Sequence, residues 1–171
     1  MVKEGSGREC ISRGILAKQA AVIKVGSKSF DQKEGVTYII LDYLKWLCHT
    51  TIFVSCLYPS KAFITIAYGR IFLHKCIDKN VVQYIDRSLH SVSRWIRRCK
   101  LKAFSACVVD DNERVIIEFL VQIQSLFIQV ADSISNYRTQ IAILKRNMER
   151  SLLHIFEAHN EVDRIENKGV V

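Results

Sequence analysis

Proline is almost missing from this chain: the 171 residues hold one, Pro59, beside seven glycines. That excludes collagen-like and linker-rich disordered classes. No run of like charge is long enough to make a disordered arm. Six cysteines stand at positions 10, 48, 56, 76, 99 and 107, yet none forms a C-x-x-C pair and their gaps match no zinc module. Neither G-x-x-x-x-G-K-[ST] nor G-x-G-x-x-G occurs, so no glycine loop is available to cradle phosphate. H-E-x-x-H and G-x-S-x-G are missing too. The opening Met1-Val2-Lys3-Glu4-Gly5 does not read as a secretory signal. With five scattered histidines, an enzyme would need a His–Cys pair assembled from distant positions. We expect no catalysis and no cofactor.

Apolar residues make up 49% of the chain, enough for one sizeable core. Net charge is +8. The excess is uneven: residues 1–35 carry net +3, residues 36–123 net +5, and residues 124–171 none. Such a balance favours nucleic acid or an acidic partner surface and says nothing about fold. The cysteines read as reduced intracellular thiols, buried in part as small apolar groups. A zinc site would need Cys48, His49, His74 and Cys76 to converge.

Residues 36–58 are long and mostly apolar, but Asp42, Lys45 and His49 argue against a membrane span. They recur at i, i+3 and i+7, one narrow helical stripe. The pattern predicts a helix over Val36–Leu57, buried on most sides, whose polar edge reaches other protein groups or water. Pro59 should end it.

Ile64–Cys76 reads as strand, interrupted at Gly69. Lys79–Arg98 is amphipathic, with Val81, Val82, Ile85, Leu89, Val92, Trp95 and Ile96 on the core side and Asp78 as N-cap. Leu101–Val109 and Arg114–Ile123 read as two strands around the polar turn Asp110-Asp111-Asn112-Glu113, an antiparallel hairpin with Val115, Ile117, Phe119, Val121 and Ile123 on one face. Ser133–Ala158 is helical, with a stripe of Ile134, Tyr137, Ile141, Leu144, Met148, Leu152 and Phe156. Residues 1–35, including a weakly helical Ile15–Val25, read as a flexible leader, and 159–171 as a polar tail. The expected architecture is α+β, three main helices packed on an antiparallel sheet.

Arg94, Arg97, Arg98, Lys100 and Lys102 cluster at the end of the second helix, where cations complement the helix dipole. The functional alternative is contact with phosphate or an acidic partner. With Trp95 assigned to the core, the cluster lacks an aromatic on which bases could stack.

Several segments resemble the HORMA-domain family. Leu57-Tyr58-Pro59-Ser60-Lys61-Ala62-Phe63 resembles its Y-P-x-x-x-F turn after the first core helix. Asn80-Val81-Val82-Gln83-Tyr84-Ile85 resembles the start of its second helix, and Ser93-Arg94-Trp95-Ile96 that helix's far end. Val108 through Phe119 resembles its hairpin. The resemblance covers about residues 36–158 and implies binding, not catalysis: family members take a partner peptide as an added strand and wrap it with a C-terminal belt. Tyr84 matches the family's peptide-contacting tyrosine, with Tyr58 as a second candidate contact, although Tyr58 and Phe63 also suit the core. Only about a dozen polar residues follow Ala158, so the belt and the peptide-receiving strand are expected to be missing, as in a C-terminally truncated member. An uncovered sheet edge would favour a homodimer or heterodimer.

Two branches of the family compete. The short hairpin turn resembles the branch serving translesion DNA polymerase zeta, whose partner peptide would come from the polymerase zeta catalytic subunit or a similar protein. Tyr58-Pro59-Ser60, Tyr68-Gly69, Trp95 and Cys99 resemble the spindle-checkpoint branch. The leading expectation is therefore an adaptor in DNA-damage tolerance, nuclear and also cytoplasmic, without membrane contact. A mitotic checkpoint adaptor, a basic nucleic-acid-binding module and a non-functional truncated product are the alternatives.

Overall fold

The computed structural model describes residues 17–25, 30–109, 111–125 and 134–168, with side chains over 35–109, 111–123 and 137–157. The elements run β1 (Ala17–Val25), α1 (Phe30–Val54), a 3-10 turn (Ser60–Ala62), β2 (Phe63–Tyr68), β3 (Ile71–Cys76), α2 (Lys79–Arg97), β4 (Ala103–Val109), β5 (Val115–Ser125) and α3 (Ile134–Lys168). This is the α+β class expected, with three helices.

Helix α1 is the centre. Val36, Ile40, Tyr43, Leu44, Leu47 and Val54 on it are buried, and so are Thr37, His49, Thr50 and Thr51. They join one core with Leu73 of β3, Ile85 and Leu89 of α2, Ala106 of β4, Phe119 and Val121 of β5, and Met148, Leu152 and Ile155 of α3. The hairpin therefore lies on the central helix. Polar groups on α1 meet partners in every direction. The Tyr68 hydroxyl hydrogen-bonds Asp42. Lys45 Nζ lies 2.7 Å from Asp86 Oδ1 of α2. His49 Nδ1 accepts the Cys76 amide at 3.3 Å, and the Tyr43 hydroxyl lies 2.9 Å from Ser151 Oγ of α3. The expected polar stripe thus reaches protein groups.

Helix α2 begins as expected: Asp78 Oδ1 accepts the amides of Asn80 and Val81 at 2.9 and 3.1 Å, a side-chain N-cap. Strands β2 and β3 form an antiparallel hairpin, Tyr68 facing Ile71. Gly69 takes φ +58° at the first position of this two-residue loop, a conformation that costs glycine little.

Several expectations change. Residues 17–25 are not leader: they form β1, which pairs parallel with β5 from Ala17–Ile117 to Val25–Ser125. The run Ala20-Ala21-Val22-Ile23-Lys24-Val25 has both periodicities, and pairing decides between them. The sheet is consequently mixed, in the order β1-β5-β4, with β2–β3 a separate two-stranded sheet. Helix α1 starts at Phe30, ahead of the expected domain boundary, and ends at Val54 because Cys56 turns to φ +53°, before Pro59 is reached. Residues 159–168 are not a tail separate from the third helix. They continue α3 to Lys168, since glutamate, arginine and lysine favour helix and no proline or glycine intervenes before Gly169. Residues 1–16, 26–29, 110, 126–133 and 169–171, with Cys10, Asp110 of the expected turn and Ser133 at the expected start of the third helix, and the side chain of Ile134 lie outside the described residues. Among those described, no helix is long and apolar enough to cross a membrane.

His49 is 1% exposed, and its Nε2 has no partner. Burial, with Lys45 and Lys75 nearby, pulls its pKa from 6.5 down to about 4. Between these values the unfolded chain binds the proton and the folded chain refuses it, so stability falls as pH drops. Denaturant titrations should show a loss of about 3 kcal/mol from pH 6.5 to 4 beyond that of His49→Gln. His49→Gln keeps an acceptor for the Cys76 amide, and equal slopes for the two proteins would refute the account.

Candidate functional site

The three-stranded sheet has two outer strands, β1 and β4, each without a further partner among the described strands. β5 is central, flanked by β1 and β4, and no described strand pairs with the far side of β4. Residues along β4 alternate: Ala106 and Val108 are buried and Phe104 half-buried, while Ala103, Ser105, Cys107 and Val109 are exposed. The backbone alternates as well. The Ile123 amide donates to the Lys102 carbonyl at 2.8 Å, and Ala103 faces Gln122 in the antiparallel register. In such a ladder every second residue bonds inward. Phe104, Ala106 and Val108 therefore bond to β5, and the amides and carbonyls of Ala103, Ser105 and Cys107 point to the open side. The Ser105 hydroxyl donates to Glu118 Oε1 at 3.0 Å, locking its side chain on the exposed face. A register shift between Val108 and Val109 ends regular pairing, a common guard on an edge.

β4 is anchored to the end of α2. Arg98 is the C-cap and Cys99 follows at φ +54°. The Cys99 amide bonds the Ile96 carbonyl at 2.8 Å and the Lys100 amide the Trp95 carbonyl at 2.9 Å. This is the Schellman pattern, with cysteine where glycine is usual. It divides the basic cluster. Arg94 and Arg98 line a cleft of about 310 Å³ with Ser91 and Trp95. Arg97 instead lines a groove of about 410 Å³ between α1 and α2, beside Asp42, Lys45 and Asp86. Lys100 and Lys102 are exposed between α2 and β4. Mixed charge in the α1–α2 groove gives it no preference for a ligand of either sign.

Two aromatic assignments change. Trp95 is not a core residue: its side chain is 55% exposed. Tyr58 does not pack in the core either, at 37% exposed in the turn after α1, whereas Phe63 does pack, edge-on to Phe53 at 5.2 Å. Tyr84 is 73% exposed on α2. The two candidate peptide contacts lie on separate elements, neither of them a strand.

Cys48 and His49 do not form a nucleophile–base pair. Burial pushes the Cys48 thiol up to about 12, and the His49 ring beside it in sequence is a weak base, the reverse of a Cys–His pair. His74 stacks on Phe53 at 3.9 Å, and the described residues contain no group of three or more potential metal ligands. Of the four residues a zinc site would need, His49 and Cys76 are joined by a hydrogen bond, and it runs through the Cys76 backbone.

No protein-family profile matches the chain. It is 25% identical over 85 residues to the mitotic spindle checkpoint component MAD2 of Saccharomyces cerevisiae, covering 50% of this chain and 43% of the yeast protein. A chain of a mitotic checkpoint complex crystal structure overlaps with a TM-score of 0.42 at 14% identity, over 48% of this chain and 43% of that one. The chain thus spans less than half the length of each. The weak sequence similarity supports the HORMA family; neither comparison bears on the polymerase-associated branch.

The strained cap gives a test of this junction. Cys99→Gly relieves a left-handed backbone that costs a side-chain-bearing residue on the order of 1 kcal/mol. It should raise stability by about 0.5 kcal/mol in urea titrations, after glycine's larger unfolded-state entropy is deducted. A destabilised variant would show that the Cys99 side chain contributes more than its backbone strain costs.

Proposed function

We propose that the chain is a HORMA-type adaptor that binds an extended segment of a partner protein by strand addition along β4. The observation carrying this reading is the row of outward amides and carbonyls at Ala103, Ser105 and Cys107, a ready template for a further strand. The sequence alone led us to expect the receiving strand to be missing; β4 offers a receiver among the described residues. Similarity to a spindle checkpoint component supports the mitotic pathway. The translesion pathway, with a segment of the polymerase zeta catalytic subunit as ligand, rests on the short turn before β5. Tyr84 and Tyr58 are exposed and available to extend the interface, and a nuclear location goes with either pathway. A second copy of this chain also offers strands, so the same edge supports a homodimer.

Cys107→Pro separates this reading from others. Proline removes an outward amide without touching the ladder to β5, and edge strands tolerate it. The far-ultraviolet circular dichroism and melting curve should match wild type, while affinity for a captured partner segment falls at least tenfold. Hydrogen exchange should slow at the Ser105 and Cys107 amides of wild type when that segment is added. Unchanged affinity in the proline variant, with protection elsewhere, would refute strand addition at β4.

A further inference from the structure

Trp95 is a large apolar group on the solvent face of α2 with no partner in the core. Its indole shares one cleft with Ser91 and two arginines, Arg94 beside it and Arg98 one helical turn on. Lys100 follows at the cap and Lys102 precedes β4. None of these four cations pairs with a carboxylate among the described residues, and no acidic residue occurs in the sequence from 87 to 109. A cap built on the Trp95 carbonyl fixes the backbone beneath the cleft. Helix-dipole compensation explains a cation in the last turn. It explains neither the exposed indole nor the two lysines beyond the helix.

We infer that the Arg94–Trp95–Arg98 cleft is a binding site for single-stranded nucleic acid, in which a base stacks on the indole while the arginines and lysines bind flanking phosphates. Each base offers a π-face, so an exposed aromatic among cations holds single strands without reading sequence. A duplex hides those faces, and an acidic polypeptide offers charge without a ring to stack. Combining the two kinds of group therefore selects the single strand. This inference is independent of the strand-addition reading, because it uses side chains of α2 rather than the edge of β4.

The test is oligo(dT) of about twenty nucleotides, long enough to cover a site of this size, titrated into the full chain and read by fluorescence anisotropy of the labelled oligonucleotide. Quenching of the exposed indole is a second readout, against half-buried Trp46 as internal reference. We expect Trp95→Ala to weaken binding at least tenfold and Trp95→Phe to restore most of it. Arg94→Gln with Arg98→Gln should lower the slope of log affinity against log salt by about 1.4, near 0.7 for each phosphate left without its arginine. Because these side chains are exposed, melting curves should stay within a degree or two of wild type. Affinity unaffected by Trp95→Ala would overturn the inference. Equal affinity for a duplex of the same length would overturn it too. Displacement by poly-glutamate as effective as by unlabelled oligo(dT) would assign the cleft to an acidic polypeptide instead.

Discussion

Burial of α1 on most sides is the constraint from which the other placements follow. Each large apolar side chain removed from water on this helix contributes about 1.5–3 kcal/mol, so the helix must be enclosed. Most of its polar groups then need partners, and only His49 Nε2 and Thr50 Oγ1 are buried without one among the described residues. Asp42 is met by Tyr68 from the β2–β3 hairpin, Lys45 by Asp86 from α2, His49 by the Cys76 backbone and Tyr43 by Ser151 from α3. The net strength of each such bond is about 1 kcal/mol. Their value is direction: an element rotated or shifted by one residue would strand a polar atom. Apolar area drives the enclosure, and these four bonds decide which enclosure forms. The ion pair is the weakest of them, being partly solvated.

Enclosing α1 from the helical side leaves the sheet to manage its margins. β1 protects one side of β5, and β4 takes the other. Small exposed residues at Ala103, Ser105 and Cys107 keep the outer face of β4 flat, so nothing bulky shields the open backbone. Lysines before the strand and the register shift at its end limit unspecific pairing. An edge guarded at both ends but clear in the middle has room for about one short segment.

Much of this was legible from residues. Asp78 announced its helix because a carboxylate before an apolar periodicity has few other local uses. The alternation around the acidic turn read as a hairpin, and Met148 and Leu152 fell on the buried stripe of α3. What escaped was set by partners distant in sequence. β1 is a strand because β5 lies beside it, and nothing within its own residues states that. Ile155 is buried although the expected stripe ran through Phe156, since adjacent positions at a stripe's margin differ only in what they meet. Trp95 is the instructive miss. At 100° per residue it sits about 80° from Ile85, whereas Leu89, Val92 and Ile96 fall within about 40°. A hydrophobicity count places it in the core; the angle places it at the rim. Edge amides carry no side-chain signature at all, so the outward row on β4 became visible only with the register.

The same short segment, residues 98–102, joins the two surfaces. Amides of Lys100 and Leu101 both bond the Trp95 carbonyl, and the Lys102 carbonyl already belongs to the β4–β5 ladder. Helix end and strand start are therefore one rigid corner, held by backbone bonds rather than by mobile side chains. A ligand on the indole cannot tilt α2 without straining the first rung of the sheet. Conversely, a segment added along β4 stiffens a strand whose root lies under the arginines. The two proposed surfaces differ in chemistry, one offering backbone and the other charge and ring, but they share a single short covalent and hydrogen-bonded anchor.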